Sequence, residues 1–187
     1  MKLLFTKSNG IGSRLIRWTL REDCSHLAIC FDEWASGSGI VFESTSRGTS
    51  LSWFIEWRKH QTVIHALEFS PNLTLQEEEE LYLDLLKTYS GIKYDWGTLT
   101  FWAWRGFLWR FFGVKLPKKD QWAVDGYNLS TGLAKGVGWI KKWAEENHID
   151  LELIGPQELY ERLKASGRFS EEPFWCSLTN HLPVRPR

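Results

Sequence analysis

A histidine and a glutamate on two consecutive apolar runs are the residues best suited to chemistry. His26 opens the apolar run 27–31, and Glu43 lies in the next one, 39–44, beyond the short loop 32–38. The two runs predict a hairpin, in which cross-strand partners have Cβ atoms only about 4.5–5.5 Å apart. A histidine beside a carboxylate is the arrangement of a general base and its orienting acid in nucleophilic catalysis. The alternative is an ordinary strand-end histidine and a surface carboxylate.

Bulk composition limits the class of protein. The chain has 187 residues, of which 43% are hydrophobic, so it is long enough for one domain with its own core. Its 23 basic residues balance 23 acidic ones, so we expect no nucleic-acid partner. The apolar start 3–5 is too short for a signal peptide. We therefore expect a cytoplasmic or virion-associated protein without a clear transmembrane helix.

The cysteines and histidines predict neither a disulfide framework nor a metal site. The three cysteines, at 24, 30 and 176, are an odd number and match no zinc-site spacing. The five histidines form no metal-binding cluster. We predict no metal and no cofactor, and we expect Cys24 and Cys30 to be packing residues.

Periodicity and turn residues predict the elements that must position His26 and Glu43. The clearest is a helix that begins at Thr74, has acids at 77–80 in its first turns and ends at 90–91. The other predicted elements are a helix over 14–21 capped by Ser13, a strand or short helix over 51–57, a strand over 62–69, a helix over 125–134, a strand over 151–154 and a helix over 157–165.

The segment 97–114 is unusually rich in aromatic residues. Only Arg105 and Arg110 interrupt its apolar run, and these two charges near the middle make a bilayer span costly. One interpretation is a lid that contacts a membrane or a lipid. We favour the other, an inserted helix packed against the core or against a partner protein.

Several short phrases occur together in an informative order. They are Ser-His-Leu-Ala-Ile at 25–29, Val-Phe-Glu-Ser-Thr-Ser-Arg-Gly at 41–48, Gly-Ile-Lys-Tyr-Asp at 91–95 and Pro-Gln-Glu-Leu at 156–159. Their order resembles the circularly permuted NlpC-type papain-like proteins of the YiiX-like branch, distant cousins of lecithin retinol acyltransferase. The resemblance covers residue 1 to about 165. It implies an α+β fold, a small antiparallel sheet packed against helices, with a domain 1–166, an insertion or lid 97–120 and a tail 167–187.

The resemblance also implies roles for individual residues. In that family a cysteine nucleophile begins a helix, where the helix dipole lowers the pKa of its thiol. His26 would take the thiol proton, and Glu43 would fix the histidine tautomer. Tyr94 would help to hold an oxyanion, although we favour a half-buried tyrosine with one hydrogen bond.

The nucleophile position departs from the family pattern. Trp122 and Gly126 fit the family register, which places Val124 where the cysteine should be. Valine has no nucleophilic atom, so either the thiol is lost, or the residue is altered, or another residue serves. Cys176, in Phe-Trp-Cys-Ser-Leu at 174–178, is the alternative nucleophile. It follows the last predicted helix, and we favour a chance match.

Two functions follow from the resemblance. The first is a catalytically impaired relative, a pseudoenzyme that acts as a binding or structural module, in a phage or elsewhere. The second is an active thiol hydrolase or acyltransferase that cleaves amide or ester bonds in cell-wall peptides or lipids. The implied partner is a peptide or lipid-like substrate, or a protein bound through 97–114. Val124 favours the first function.

Overall fold

One antiparallel sheet with helices packed against it forms the fold. The structure is a computed structural model and describes residues 1–31, 39–45, 47–69, 73–94, 96–114, 127–128, 131–151 and 154–171. The sheet has six strands in the order β4-β3-β2-β1-β5-β8, and β6 and β7 form a separate parallel pair. The predicted α+β class is therefore confirmed.

Strands and helices are interspersed along the chain. The strands are β1 (Lys2–Lys7), β2 (His26–Phe31), β3 (Ile40–Thr45), β4 (Gly48–Trp53), β5 (Thr62–Phe69), β6 (Lys93–Tyr94), β7 (Tyr127–Asn128) and β8 (Phe169–Glu171). The helices are α1 (Ile11–Leu20), α2 (Phe54–Trp57), α3 (Leu75–Tyr89), α4 (Trp96–Phe112), α5 (Gly138–Glu146) and α6 (Pro156–Ala165), with a 3-10 helix at Thr131–Gly136. Within the described residues, no helix is both long enough and apolar enough to cross a bilayer.

The two faces of the sheet bury different clusters. The main core packs one face against α3, α5, α6 and the 3-10 helix, with fully buried side chains such as Leu3, Phe5, Ile29, Leu85 and Leu159. The other face packs against α2 in a smaller cluster of Leu4, Ala28, Cys30, Val41, Phe54, Trp57 and Ala66. Because successive strand residues point to opposite faces, His26 shares the second face with Ala28 and Cys30.

The start of α3 is set by a local signal. The Thr74 hydroxyl accepts the Glu77 backbone N–H at 3.3 Å, and the Glu77 carboxylate accepts the Thr74 backbone N–H at 2.8 Å. This capping box satisfies backbone donors that a helix N-terminus otherwise leaves open. The predicted N-cap is confirmed, and the helix ends with Ser90 as its C-cap. The strand over 62–69 is also confirmed as β5.

The predictions of a helix over 125–134 and of a strand over 151–154 were wrong. Residues 125–134 do not form one helix, because Tyr127–Asn128 pair with β6 and a 3-10 helix begins only at Thr131. Glycines at 126, 132 and 136 weaken an α-helix there. At 151–154, Leu151 lies in a turn and Ile154 in a bend rather than in a strand.

Other predicted boundaries change as well. Ser13 lies inside α1 rather than at its N-cap, which is Gly10 and makes no side-chain cap. Residues 51–57 divide between the end of β4 and α2. Residues 138–146, for which no element was predicted, form α5. The expected tail begins with a strand, because Phe169–Glu171 pair with β5.

The capping box gives a test of the helix boundary. We expect Thr74→Ala to lower the free energy of unfolding by about 1 kcal/mol, because the Glu77 backbone N–H loses its acceptor. Urea denaturation measures this change. The matched control is Thr88→Ala on the exposed side of the last turn of α3, where no cap is lost. Equal losses in the two variants would mean that the box does not stabilise the helix.

Candidate functional site

The sheet register places His26 and Glu43 diagonally on neighbouring strands. Ala28, not His26, is the residue directly opposite Glu43. His26 precedes Ala28 by two positions, so its side chain points to the same face. Diagonal neighbours lie about 7–8 Å apart at their Cα atoms, within reach of long side chains. The small Ala28 side chain between them leaves room for the imidazole and the carboxylate to meet.

The two side chains form a short hydrogen bond inside the protein. His26 Nε2 lies 2.8 Å from Glu43 Oε2, and the Trp57 indole N–H donates to the same oxygen at 2.9 Å. Glu43 is only 6% exposed. Trp57 belongs to α2, which follows β4, so the helix supplies a second donor to the acid. No role was predicted for this tryptophan from the sequence, and only its place in the tryptophan-bearing run 51–57 could have suggested one.

These hydrogen bonds keep Glu43 ionised. Burial by itself would raise the pKa of its carboxyl, but the hydrogen bond and charge of His26, and the hydrogen bond from Trp57, together lower it. An ionised carboxylate only accepts hydrogen bonds. His26 therefore carries a hydrogen on Nε2, and in the neutral ring Nδ1 has the free lone pair. Within the described residues, no hydrogen bond is made to Nδ1.

A cavity of about 250 Å³ lies beside His26. Hydroxyl groups line much of it. The Ser13 and Ser25 oxygens are 2.6 Å apart, and the Ser13 hydroxyl also accepts the Ser8 backbone N–H at 3.0 Å. The remaining lining residues are Gly10, Gly12, Ile16, His26, Ser44, Thr45, Gln61, Trp96 and Leu99. This hydroxyl cluster was not predicted, since its members come from separate turns and strands.

A second, mainly apolar cavity continues from the first. Its volume is about 130 Å³, and it shares Gly12, Ile16, Ser25, Trp96 and Leu99 with the cavity at His26. It runs between α1 and α4 as far as Thr131, the first residue of the 3-10 helix, and Pro156, the first residue of α6. The combined space can take a ligand with a polar group near His26 and an apolar part between the two helices.

The two described cysteines are packing residues. Cys24 lies in the main core, where its thiol donates to Gln157 Oε1 at 3.3 Å. Burial, reinforced by the nearby Glu22 and Asp23 charges, raises the pKa of Cys24 to about 12. Cys30 is fully buried in the smaller cluster. It lies four residues along β2 from His26, roughly 13 Å at the usual rise of a strand. Neither thiol suits a nucleophile for His26.

The other predicted site residues are only partly described. Tyr94 lies in β6, but its side chain is outside the described part of the chain. Val124 and Cys176 lie outside the described residues altogether. The structure thus brings His26 and Glu43 together and adds Trp57. Within the described residues, no group of three or more His, Cys, Asp or Glu side chains could hold a metal ion.

Comparison with known proteins identifies a fold neighbour. No family model matches the chain, and no curated protein matches it significantly. A solved structure, the metalloprotein YiiX from Escherichia coli O157:H7 (DUF1105), aligns with a TM-score of 0.51 at 16% identity. The alignment covers 91% of this chain and 94% of that chain. At this identity the match shows a shared fold.

The ionised state of Glu43 gives a pH test. At neutral pH we expect Glu43→Gln to lower the free energy of unfolding by about 1.5–3 kcal/mol, the usual value for a hydrogen bond to a charged group. The pKa of Glu43 in the folded state is below the ordinary value of 4.5. The stabilisation by the ionised carboxylate is therefore complete above about pH 4.5, the ordinary pKa that applies in the unfolded chain. It is lost as the pH falls through the folded-state pKa. Urea denaturation at several pH values measures the difference from wild type.

The control for this test is Glu56→Gln. Glu56 is an exposed carboxylate that pairs with Lys59, and surface pairs contribute little. We expect its change to stay within about 0.5 kcal/mol at every pH. A Glu43→Gln difference that does not shrink in acid would mean that the carboxylate is not held ionised in the fold.

Proposed function

We propose that this chain is a relative of the thiol hydrolases that keeps the base and its orienting acid but lacks the thiol. In this role it binds a peptide or lipid-like ligand and does not cleave it. The observation that carries the proposal is the buried His26–Glu43–Trp57 arrangement beside an open cavity, with no described thiol in reach of the histidine. The fold shared with YiiX is consistent with this proposal.

The hydrogen-bond arrangement determines what the pair can do. With a thiol in place, His26 Nδ1 would accept its proton, and the Glu43 carboxylate would stabilise the imidazolium that forms. Without a thiol, Nδ1 instead accepts a hydrogen bond from an N–H or O–H group of a ligand. The hydroxyls of Ser13 and Ser25 add further polar partners, and the apolar cavity takes the remainder of the ligand.

A second position for the missing nucleophile is also compatible with the resemblance. In the papain-like proteins that the sequence resembles, the nucleophile typically lies in a phrase of an aromatic residue, any residue, cysteine and serine. Tyr127-Asn128-Leu129-Ser130 fits this phrase, with leucine in the cysteine position. The described 3-10 helix begins just after this phrase, at Thr131. Thr131 lines the same apolar cavity as Ser25, the neighbour of His26. We therefore propose Leu129, rather than Val124, as the position that a nucleophile would occupy.

The second candidate function is an active thiol hydrolase. It is favoured by the intact base–acid pair. Burying an ionised carboxylate costs folding free energy, and a catalytic role would account for that cost. Its nucleophile would have to be Cys176. The two functions differ in one measurable property, the reactivity of that thiol and its dependence on His26.

The native thiols provide the direct test. Alkylation by iodoacetamide, followed by mass spectrometry for each cysteine across pH, is compared between wild type and His26→Ala. We expect no cysteine to react fast below its ordinary pKa of about 8.5. Cys24 and Cys30, both fully buried, should react slowly at neutral pH. A Cys176 that reacts fast and slows without His26 would establish the hydrolase instead.

Two introduced thiols test the position of the lost nucleophile. We expect Leu129→Cys to react roughly 10- to 100-fold faster at pH 6.5 than an ordinary thiol, because a neighbouring imidazole lowers its pKa. The rate should fall to the ordinary value when His26→Ala is added. Val124→Cys is the matched comparison. If Val124→Cys alone depends on His26, the Leu129 position is wrong. If neither introduced thiol depends on His26 in a folded protein, neither position belongs to a thiol site with His26.

A further inference from the structure

Helices α1 and α4 approach each other closely at Gly106. Gly106 of α4 lies against Thr19 of α1, and a Cβ added at the glycine would come within 2.7 Å of the threonine side chain and 2.9 Å of its backbone oxygen. The Thr19 hydroxyl is turned back into its own helix, onto the Leu15 and Ile16 carbonyls, both at 2.9 Å. The close approach at Gly106 lets the two helices act as one unit beside the sheet.

The outward side of this pair is strongly apolar. Large apolar side chains are exposed along it, and Ile11, Phe111 and Phe112 are 85%, 59% and 66% exposed. The α1–α4 surface consists of Ile11, Leu15, Trp18, Trp104, Phe111 and Phe112. Trp18 contacts Phe111 across the two helices, with ring centroids 6.0 Å apart. Phe107 contacts both Trp104 and Phe111, at 5.8 and 4.8 Å between ring centroids, so the aromatic part of this surface is continuous. A continuous exposed apolar surface marks a place where another surface binds.

The charge of the pair is entirely basic. The sequences of α1 and α4 contain four arginines and no acidic residue, a formal charge of +4. Since the chain as a whole has a formal charge of zero, the remainder carries −4. None of the ion pairs among the described residues involves Arg14 or Arg110. The apolar surface and the positive charge therefore occur together.

The arginines lie over the aromatic rings rather than apart from them. Arg110 lies 4.7 Å from the centre of the Trp18 ring, and Arg21, just after α1, lies 4.6 Å from that of Trp109. In these contacts the guanidinium lies over the face of the indole ring, and its N–H groups, which lie in the plane of the guanidinium, remain able to donate to phosphate oxygens. Helices that lie in the interface of a membrane are rich in arginine or lysine on their polar face and carry tryptophan, phenylalanine or leucine on their apolar face.

We propose that the α1–α4 surface docks on an anionic phospholipid bilayer, with the two helices lying in its interface. The apolar rings enter the boundary between headgroups and acyl chains, and the arginines bind the lipid phosphates. Neither helix crosses the bilayer, in agreement with the absence of a spanning helix among the described residues. The apolar cavity between the same helices continues to His26, so docking would place the candidate site next to lipid.

Vesicle flotation of the full chain tests this proposal. Vesicles of phosphatidylcholine alone are compared with vesicles that also contain phosphatidylserine, at low and at high salt. We expect strong flotation only with phosphatidylserine, and a marked loss at high salt, because salt screens the charges. Absence of flotation with phosphatidylserine vesicles at low salt would overturn the proposal.

Two double variants separate the apolar and the charged contributions. Arg14→Gln with Arg110→Gln should lower partitioning about 30-fold, given the usual contribution of one arginine near an anionic surface. Phe111→Ser with Phe112→Ser should lower it by about tenfold or more. The matched controls are Lys141→Gln on α5 and Trp53→Ser on β4, which are exposed elsewhere on the chain. They should change partitioning less than about twofold, within surface-substitution effects.

Circular dichroism establishes that each variant is folded. Equal losses in the variants and the controls would overturn the proposal. A second result would also overturn it: the chain does not bind vesicles, and light scattering shows a dimer that the Phe111→Ser and Phe112→Ser variant abolishes. In that case the surface joins two copies of the chain. The test involves no change at His26 or Glu43, so its failure would leave the proposed function untouched.

Discussion

The buried carboxylate of Glu43 constrains much of the structure around it. A charge that is almost fully removed from water is stable only when donors surround it. Its two donors come from different elements, His26 from the start of β2 and Trp57 from α2. The acid therefore requires a fixed register between β2 and β3 and a fixed return of the chain from β4 into α2. A slip of one residue would turn Glu43 to the opposite face, into the apolar main core.

The two-faced sheet explains why the site is separate from the main core. Helices α3, α5 and α6 cover one face with aliphatic and aromatic side chains. The other face carries small residues such as Ala28 and Ala66, which leave space for the imidazole and for α2. Chemistry and packing thus use alternate residues of the same strands. The same alternation puts the Cys30 side chain on the face of His26, while Cys24, before the strand begins, packs into the main core.

The cavity depends on elements that lie far apart in the chain. Serines from the turn before α1, from α1 itself and from the residue before β2 meet beside His26, while Trp96 and Leu99 arrive from α4. Helix α4 is held against α1 by the close contact at Gly106. One helix therefore serves two purposes, since its inner side lines the cavity and its outer side carries the exposed aromatic surface. A ligand would be bound between the sheet and this helix.

Much of the framework could be predicted from the sequence because its signals are local. The capping box at Thr74 and Glu77, the apolar runs of β2, β3 and β5, and the proline at the start of α6 each act through neighbours in the chain. The pairing of His26 with Glu43 was also accessible, since a short loop joins the two runs. The helix predicted over 125–134 failed because glycines and the pairing with β6 outweigh its apolar pattern.

The sequence by itself determined the residue types available for chemistry: a histidine and a glutamate on two consecutive apolar runs, and three cysteines at positions 24, 30 and 176. Only the tertiary structure decided how these residues are used. It made the pair diagonal, recruited Trp57 as the second donor, buried Cys24 in the other core and assembled the serines into one cavity. The reason is physical, because register, burial and contacts between distant segments depend on packing of the whole chain, and local periodicity does not encode them.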